Sequence, residues 1–203
     1  MRIFAISDLH ADRNLARIGA EQASLHGADL VMLAGDLSLF GSEFEGIIAP
    51  FTELNVPILL LGGNHDDHER VAELAASYGA VHLDGYGVVI GGVGFIGTRG
   101  ITLGGSRQTP EEMRDSLLTA ARYARAERIV MMTHGHPSGT LMSQLSSYVR
   151  GSETIEELIH TIEPSLHVCG HVHEGAGLIE SIGQTKVVNV SRIPTLIDLA
   201  DES

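Results

Sequence analysis

The chain has no tryptophan, a single cysteine and only 13 lysines and arginines among its 203 residues. One cysteine, Cys169, cannot form an intrachain disulfide, which excludes the disulfide-framed secreted folds and makes a reducing cytoplasm the expected location. Thirteen cations against 26 acidic residues leave a formal net charge of −13. Such a surface repels polyanions, so neither long nucleic acid nor an anionic membrane is an expected partner. No apolar run approaches the ~18 residues needed to cross a bilayer. The apolar stretch that precedes Asp8 is too short for a secretion signal. No repeat, low-complexity tract or linker divides the chain, so residues 1–203 read as one domain.

Hydrophobic residues make up 43% of the sequence, enough to build a core and to exclude disorder. Short apolar runs at 3–6, 30–34, 58–61, 129–132 and 166–169 predict buried strands. Helical patterns at 14–26, 44–54, 69–78, 110–126 and 153–162 lie between or after them. The fourth carries a start signal, with Thr109 as N-cap, Pro110 at the first helical position and Glu112 closing a capping box. Alternating strands and helices predict a layered α/β fold. Residues 88–98 and 178–199 break the alternation and read as meanders that form a second sheet.

Polar residues with metal-ligand chemistry stand just after the strands. They are Ser7-Asp8-Leu9-His10, Gly35-Asp36, Gly63-Asn64-His65-Asp66, Thr133-His134-Gly135-His136 and Gly170-His171-Val172-His173. Each alone has a plainer reading: Asp8 or Asp36 as a turn or helix cap, Gly-Gly-Asn as a turn, a single histidine as a core or surface residue. Five such placements at five strand ends point instead to a shared metal site, because the carboxyl ends of strands form the ligand crevice of an open α/β sheet. Asp8-x-His10 and His171-x-His173 are expected to reach it as alternate residues of extended chain. Ligands of nitrogen and oxygen without thiolate suit Mn, Fe, Zn or Co, manganese among the first to test. Cys169 reads as core.

In order, spacing and strand context the series resembles the calcineurin-like metallophosphoesterase superfamily. That resemblance implies two facing mixed β-sheets, a β-sandwich, flanked by α-helices. It implies that Asp8, His10, Asp36 and His173 hold one divalent ion. Asp36 would bridge to a second, held with Asn64, His134 and His171, and His65 would stand beside the substrate as a catalytic residue. Phosphate esters resist attack because their anionic oxygens repel nucleophiles, and two adjacent cations lift that resistance and supply hydroxide at neutral pH.

The sequence departs from relatives that dephosphorylate proteins, in which Gly-Asp-x-x-Asp-Arg follows the second strand. Here Gly35-Asp36 is followed by Leu37-Ser38-Leu39-Phe40, so no carboxylate at position 39 orients His65 and no arginine follows to grip phosphate. Asp66 is the nearest alternative partner for His65. His136 and Arg99 are assigned to substrate binding, and Arg107 shares the Gly-rich loop with Arg99. His26, His68, His82, His160 and His167 lie outside the motifs and read as surface or core. The expected function is hydrolysis of small-molecule phosphodiesters, nucleotide-derived ones among them, by a metal-bridging hydroxide, with Asp36 and His65 as catalytic residues. The alternatives are a phosphomonoesterase acting on nucleotides or phosphoproteins, and a non-catalytic scaffold of the same fold.

Overall fold

Residues 1–40, 44–101 and 107–199 are described by a computed structural model. Every apolar run forms its strand. In chain order the elements are β1 (Arg2–Ile6), α1 (Arg13–Leu25), β2 (Leu30–Ala34), α2 (Ala49–Thr52), β3 (Ile58–Leu61), α3 (His68–Ser77) and β4 (Val81–His82). There follow β5 (Tyr86–Ile90), β6 (Val93–Thr98), α4 (Pro110–Tyr123), β7 (Arg128–Thr133), α5 (Met142–Leu145), α6 (Glu153–Ile162), β8 (Leu166–Cys169), β9 (Ile179–Ile182), β10 (Thr185–Asn189) and β11 (Thr195–Asp198). One sheet has the order β11-β1-β2-β3-β4, the other β5-β6-β7-β8-β10-β9. In the first only β11 runs antiparallel to its neighbour. In the second, β6, β7, β8 and β10 are parallel, and β5 and β9 close the edges antiparallel.

Strands buried on both faces explain the continuous apolar runs. From the first sheet Ile3, Ala5, Leu30, Met32, Leu59 and Leu61 meet Phe95, Val130, Met132, Leu166 and Val188 of the second in one core. Their alternates Phe4, Ile6, Val31, Leu33 and Leu60 pack outward against Ala16 and Ala20 of α1, Phe51 of α2 and Val71 of α3. On the far side Ile96, Met131 and Val187 meet Met113 and Leu117 of α4 and Ile155 and Ile159 of α6. Cys169 belongs to this outer cluster, fully buried. The result is two mixed sheets face to face with helices on both outer faces.

Two expectations need correction. The 44–54 segment is helical only from Ala49 to Thr52, because Gly46 turns left-handed at φ +75° and Pro50, at the start of the turn, cannot donate to a preceding one. The meanders do not make the second sheet by themselves: β7 and β8 form its centre, and β11 crosses to pair with β1. The capping box at Thr109 and Glu112 is present as predicted.

Candidate metal centre

The loops after β1, β2, β3, β7 and β8 converge. Asp8 lies after β1, fully buried, and its Oδ2 accepts from the Ser7 hydroxyl at 2.5 Å and from the backbone N–H of His171 at 3.1 Å. Its Oδ1 lies 3.0 Å from His173 Nε2 and 3.8 Å from His10 Nε2. Asp36 Oδ2 sits 3.7 Å from His10 Nε2, 3.9 Å from His65 Nε2 and 3.4 Å from His134 Nε2. Asp36 Oδ1 accepts the backbone N–H of His65 at 2.9 Å. Asn64 Oδ1 is 3.2 Å from His134 Nε2, and the His134 and His171 rings are 4.9 Å apart.

Ligand-type atoms therefore gather in overlapping triplets: Asp8, His10 and His173; His10, Asp36 and His65; Asp36, His134 and His171. Asp36 is the carboxylate shared between the imidazoles of β1 and β3 and those of β7 and β8. His134 Nδ1 donates to the Ala34 carbonyl at 2.9 Å, which turns Nε2 toward Asp36 as the nitrogen that a metal ion would take in place of a proton. Two glycines make this approach possible. A Cβ on Gly35, which sits at φ +89°, would come within 2.7 Å of the His134 ring, and one on Gly63 would strike the Asp36 carboxylate and come within 2.5 Å of its backbone nitrogen.

Asp8 and His10 do not reach the site as alternate residues of extended chain. Asp8, His10, Asp36 and His171 all adopt left-handed backbone, at φ of 56°, 44°, 49° and 71°. Each such residue costs on the order of 1–3 kcal/mol, and strain of this kind clusters where function demands it.

The electrostatics ask for positive charge. Burial pushes the Asp8 and Asp36 carboxyls up, but His134 together with hydrogen bonds, from His173 and Ser7 to Asp8 and from His134 and the His65 N–H to Asp36, outweighs it and holds both below the usual range. Burial opposes charge on His134, yet the Asp36 and Asp8 carboxylates raise it to about 10. Two buried carboxylates thus draw a proton onto an imidazole, a demand that a bound cation meets instead. The donor set, buried, mixed in oxygen and nitrogen and lacking thiolate, fits divalent transition metals.

Other assignments fare differently. Asp66 does not serve His65. Its carboxylate accepts from Gly63 N, Leu37 N, Ser38 N and the Ser38 hydroxyl, and His65 Nδ1 has no hydrogen-bond partner among the described residues. Arg99 is drawn away from the crevice: its Nε pairs with Asp84 at 2.9 Å, beside His68 at 3.2 Å from the same oxygen. His68, His82 and Asp84 form a further cluster of ligand-type atoms, with Asp84 already neutralised by Arg99. Arg107 is exposed and away from the lining, and 102–106 of its loop lie outside the described residues. His136 is buried, 6.3 Å ring to ring from His171, and burial pushes it down to about 4. The crevice, about 330 Å³, is lined by His10, Asp36, Asn64, His65, His171 and His173, and also by Ser146, Tyr148, Val149 and Glu174. The last four carry no metal-ligand spacing, and sequence reasoning missed them.

Solved structures share this fold. A solved structure of TT1561 from Thermus thermophilus matches with a TM-score of 0.81 at 18% identity, covering 100% of this chain and 96% of that one. The structure of a novel archaeal phosphodiesterase matches at TM-score 0.62 and 18% identity, with the same two coverages. A UPF0046 protein of Caenorhabditis elegans is 23% identical over 216 residues, 95% of this chain and 70% of the relative. The model of the calcineurin-like phosphoesterase family matches residues 1–175, a span that includes every loop of the site, and the chain belongs to that family.

Proposed function

We propose that this metal-dependent phosphoesterase hydrolyses small-molecule phosphodiesters at a centre of two divalent ions. Asp8, His10, Asp36 and His173 would hold one ion, and Asp36, Asn64, His134 and His171 the other. Bound there, Mn, Fe, Zn or Co would neutralise the phosphoryl oxygens and acidify water. His65, at the crevice with its Nδ1 unpartnered among the described residues, donates to the leaving oxygen or to developing charge.

One observation carries the preference for diesters: among the described residues, no lysine or arginine lines the crevice, and Glu174 does. A dianionic monoester needs a cationic fork beyond the metals, and a monoanionic diester does not. The archaeal phosphodiesterase of similar fold agrees with this reading. The net charge of −13 supports a small-molecule substrate over long nucleic acid. No helix among the described residues is long and apolar enough to cross a membrane, in keeping with a cytoplasmic enzyme.

The test is steady-state turnover of p-nitrophenyl phosphate, a monoester, and bis(p-nitrophenyl) phosphate, a diester, by protein stripped of metal and reloaded with each ion in turn. The diester should have the higher kcat/KM. A clear advantage for the monoester would overturn the diesterase reading, and one bound ion at saturation would overturn the dinuclear centre.

A further inference from the structure

The phenylalanine side chains of this protein divide sharply. Phe4, Phe44, Phe51 and Phe95 are at most 4% exposed, whereas Phe40 is 79% exposed. Phe40 is not on a remote surface: its ring centroid lies 4.6 Å from that of His65, at 53°. Tyr148, 88% exposed, lines the crevice that His65, His10 and His173 also line. Among the described residues it is the most open aromatic, ahead of Phe40, Tyr123 and Tyr86. Large apolar rings left in water beside a reactive centre are surfaces that a ligand can cover.

Charge narrows what that ligand is. The lining offers hydroxyl, amide, imidazole and ring, but no lysine or arginine among the described residues, and it includes the Glu174 carboxylate. A second phosphate or a carboxylate on the substrate would meet repulsion at that wall. A flat neutral ring finds edges and faces that match it, and stacking tolerates any planar system because all present a π-face. The volume, about 330 Å³, is at the small end of ligand sites and suits one ring joined to one phosphate.

We infer that the substrate bears a flat, uncharged ring, aryl or nucleobase, on its phosphate ester, and that Tyr148 and Phe40 are the specificity-determining residues that pack against it. This rests on the diesterase reading above. Phe40 also covers one side of the His65 imidazole, so a ring packed there would shield that imidazole from water.

The test uses three monoanions of one design, the methyl, phenyl and thymidine-5′ esters of methylphosphonic acid, each checked by phosphorus NMR to stay intact over the measurement, with binding to the metal-loaded protein measured by calorimetry. A ring should tighten Kd relative to the methyl ester by on the order of tenfold. Phe40→Ala and Tyr148→Ala should each shrink that ring-to-methyl ratio, the double variant should bring it near one, and Tyr148→Phe should restore it. Both side chains are exposed, so truncation should leave the fold intact, checked by thermal unfolding. Tight binding of phenyl and thymidine esters alike identifies any planar ring as the ligand, and tight binding of the thymidine ester alone a nucleobase. A ratio of one in the unsubstituted protein, or one that survives the double substitution, overturns the inference. Turnover of bis(p-nitrophenyl) phosphate is measured separately, so loss of the diesterase reading would show there.

Discussion

The carboxylate of Asp66 accepts both the backbone N–H and the hydroxyl of Ser38, each at 2.8 Å. Its other oxygen accepts Leu37 N at 3.0 Å and Gly63 N at 2.9 Å. One buried side chain thus ties the loop that carries Asp36 to the loop that carries Asn64 and His65. Asp66→Ala would strand the N–H groups of Leu37, Ser38 and Gly63 away from water, whereas the Ser38 hydroxyl keeps the His65 carbonyl, and should cost about 3 kcal/mol of stability. It should also weaken metal binding, although Asp66 is not grouped with the ligands. Urea unfolding and metal titration of the same variant check both parts, and normal metal affinity would separate the brace from the site.

Asp84 acts at one remove on His134. It accepts the backbone N–H of Arg99 at 2.9 Å, pairs with the Arg99 guanidinium and accepts from Thr98, and the Arg99 carbonyl accepts the N–H groups of His134 and Gly135 at 3.0 Å. Asp84→Ala should lower metal affinity by about tenfold, since the loop under a ligand loses its anchor. Arg99→Ala should have a smaller effect in the same direction, and the pair should be less than additive. The KM for a diester should stay within about twofold in Arg99→Ala. A large rise in KM at full metal loading would return Arg99 to the substrate.

His65 stands close enough to Asp36 and His10 to form a ligand triplet with them, yet the reading proposed above makes it a proton donor. His65→Ala should keep full metal content and lose rate, by about 10²–10⁴-fold on an alkyl leaving group and far less on nitrophenolate, which needs no proton. Elemental analysis and the two rates decide the matter together. Lost metal would make His65 a ligand, and equal losses would remove the acid role.

His167 reports on acid stability. It is fully buried with Nε2 2.8 Å from the Thr133 hydroxyl, and burial pushes it down to about 3, with His136 adding to the effect. The unfolded chain takes up this proton near pH 6.5 and the folded chain does not until about pH 3. Stability is therefore complete above about pH 6.5 and falls with pH across that window, by about 1.4 kcal/mol at pH 5.5 from this group alone. His167→Gln, which keeps a donor for Thr133 and cannot titrate, should flatten the slope of metal-free protein. Urea midpoints at pH 7.5 and 5.5 give the comparison, and an unaltered slope would refute the assignment.

Local pattern was enough to determine the strands and most helices, because runs such as 30–34 and 58–61 are buried on both faces and α4 and α6 carry their own caps. It also marked the loops that converge on the candidate metal centre, since Asp8, Asp36, Asn64, His134, His171 and their neighbours are chemically unusual at strand ends. It could not reveal how those residues reach one point. Extended alternation is the default for x-spaced ligands, and only the packing of two sheets imposes left-handed backbone on Asp8, His10, Asp36 and His171. Asp66 is adjacent to His65 in sequence, but its carboxylate is turned to Leu37 and Ser38, 29 and 28 residues away, whose burial leaves their N–H groups no water. Arg99 looked available for phosphate until β6 brought it beside Asp84. Tyr148 had no signal at all: an exposed aromatic in a loop is unremarkable along the chain, and it acquires meaning only where the fold sets it beside the histidines of the crevice.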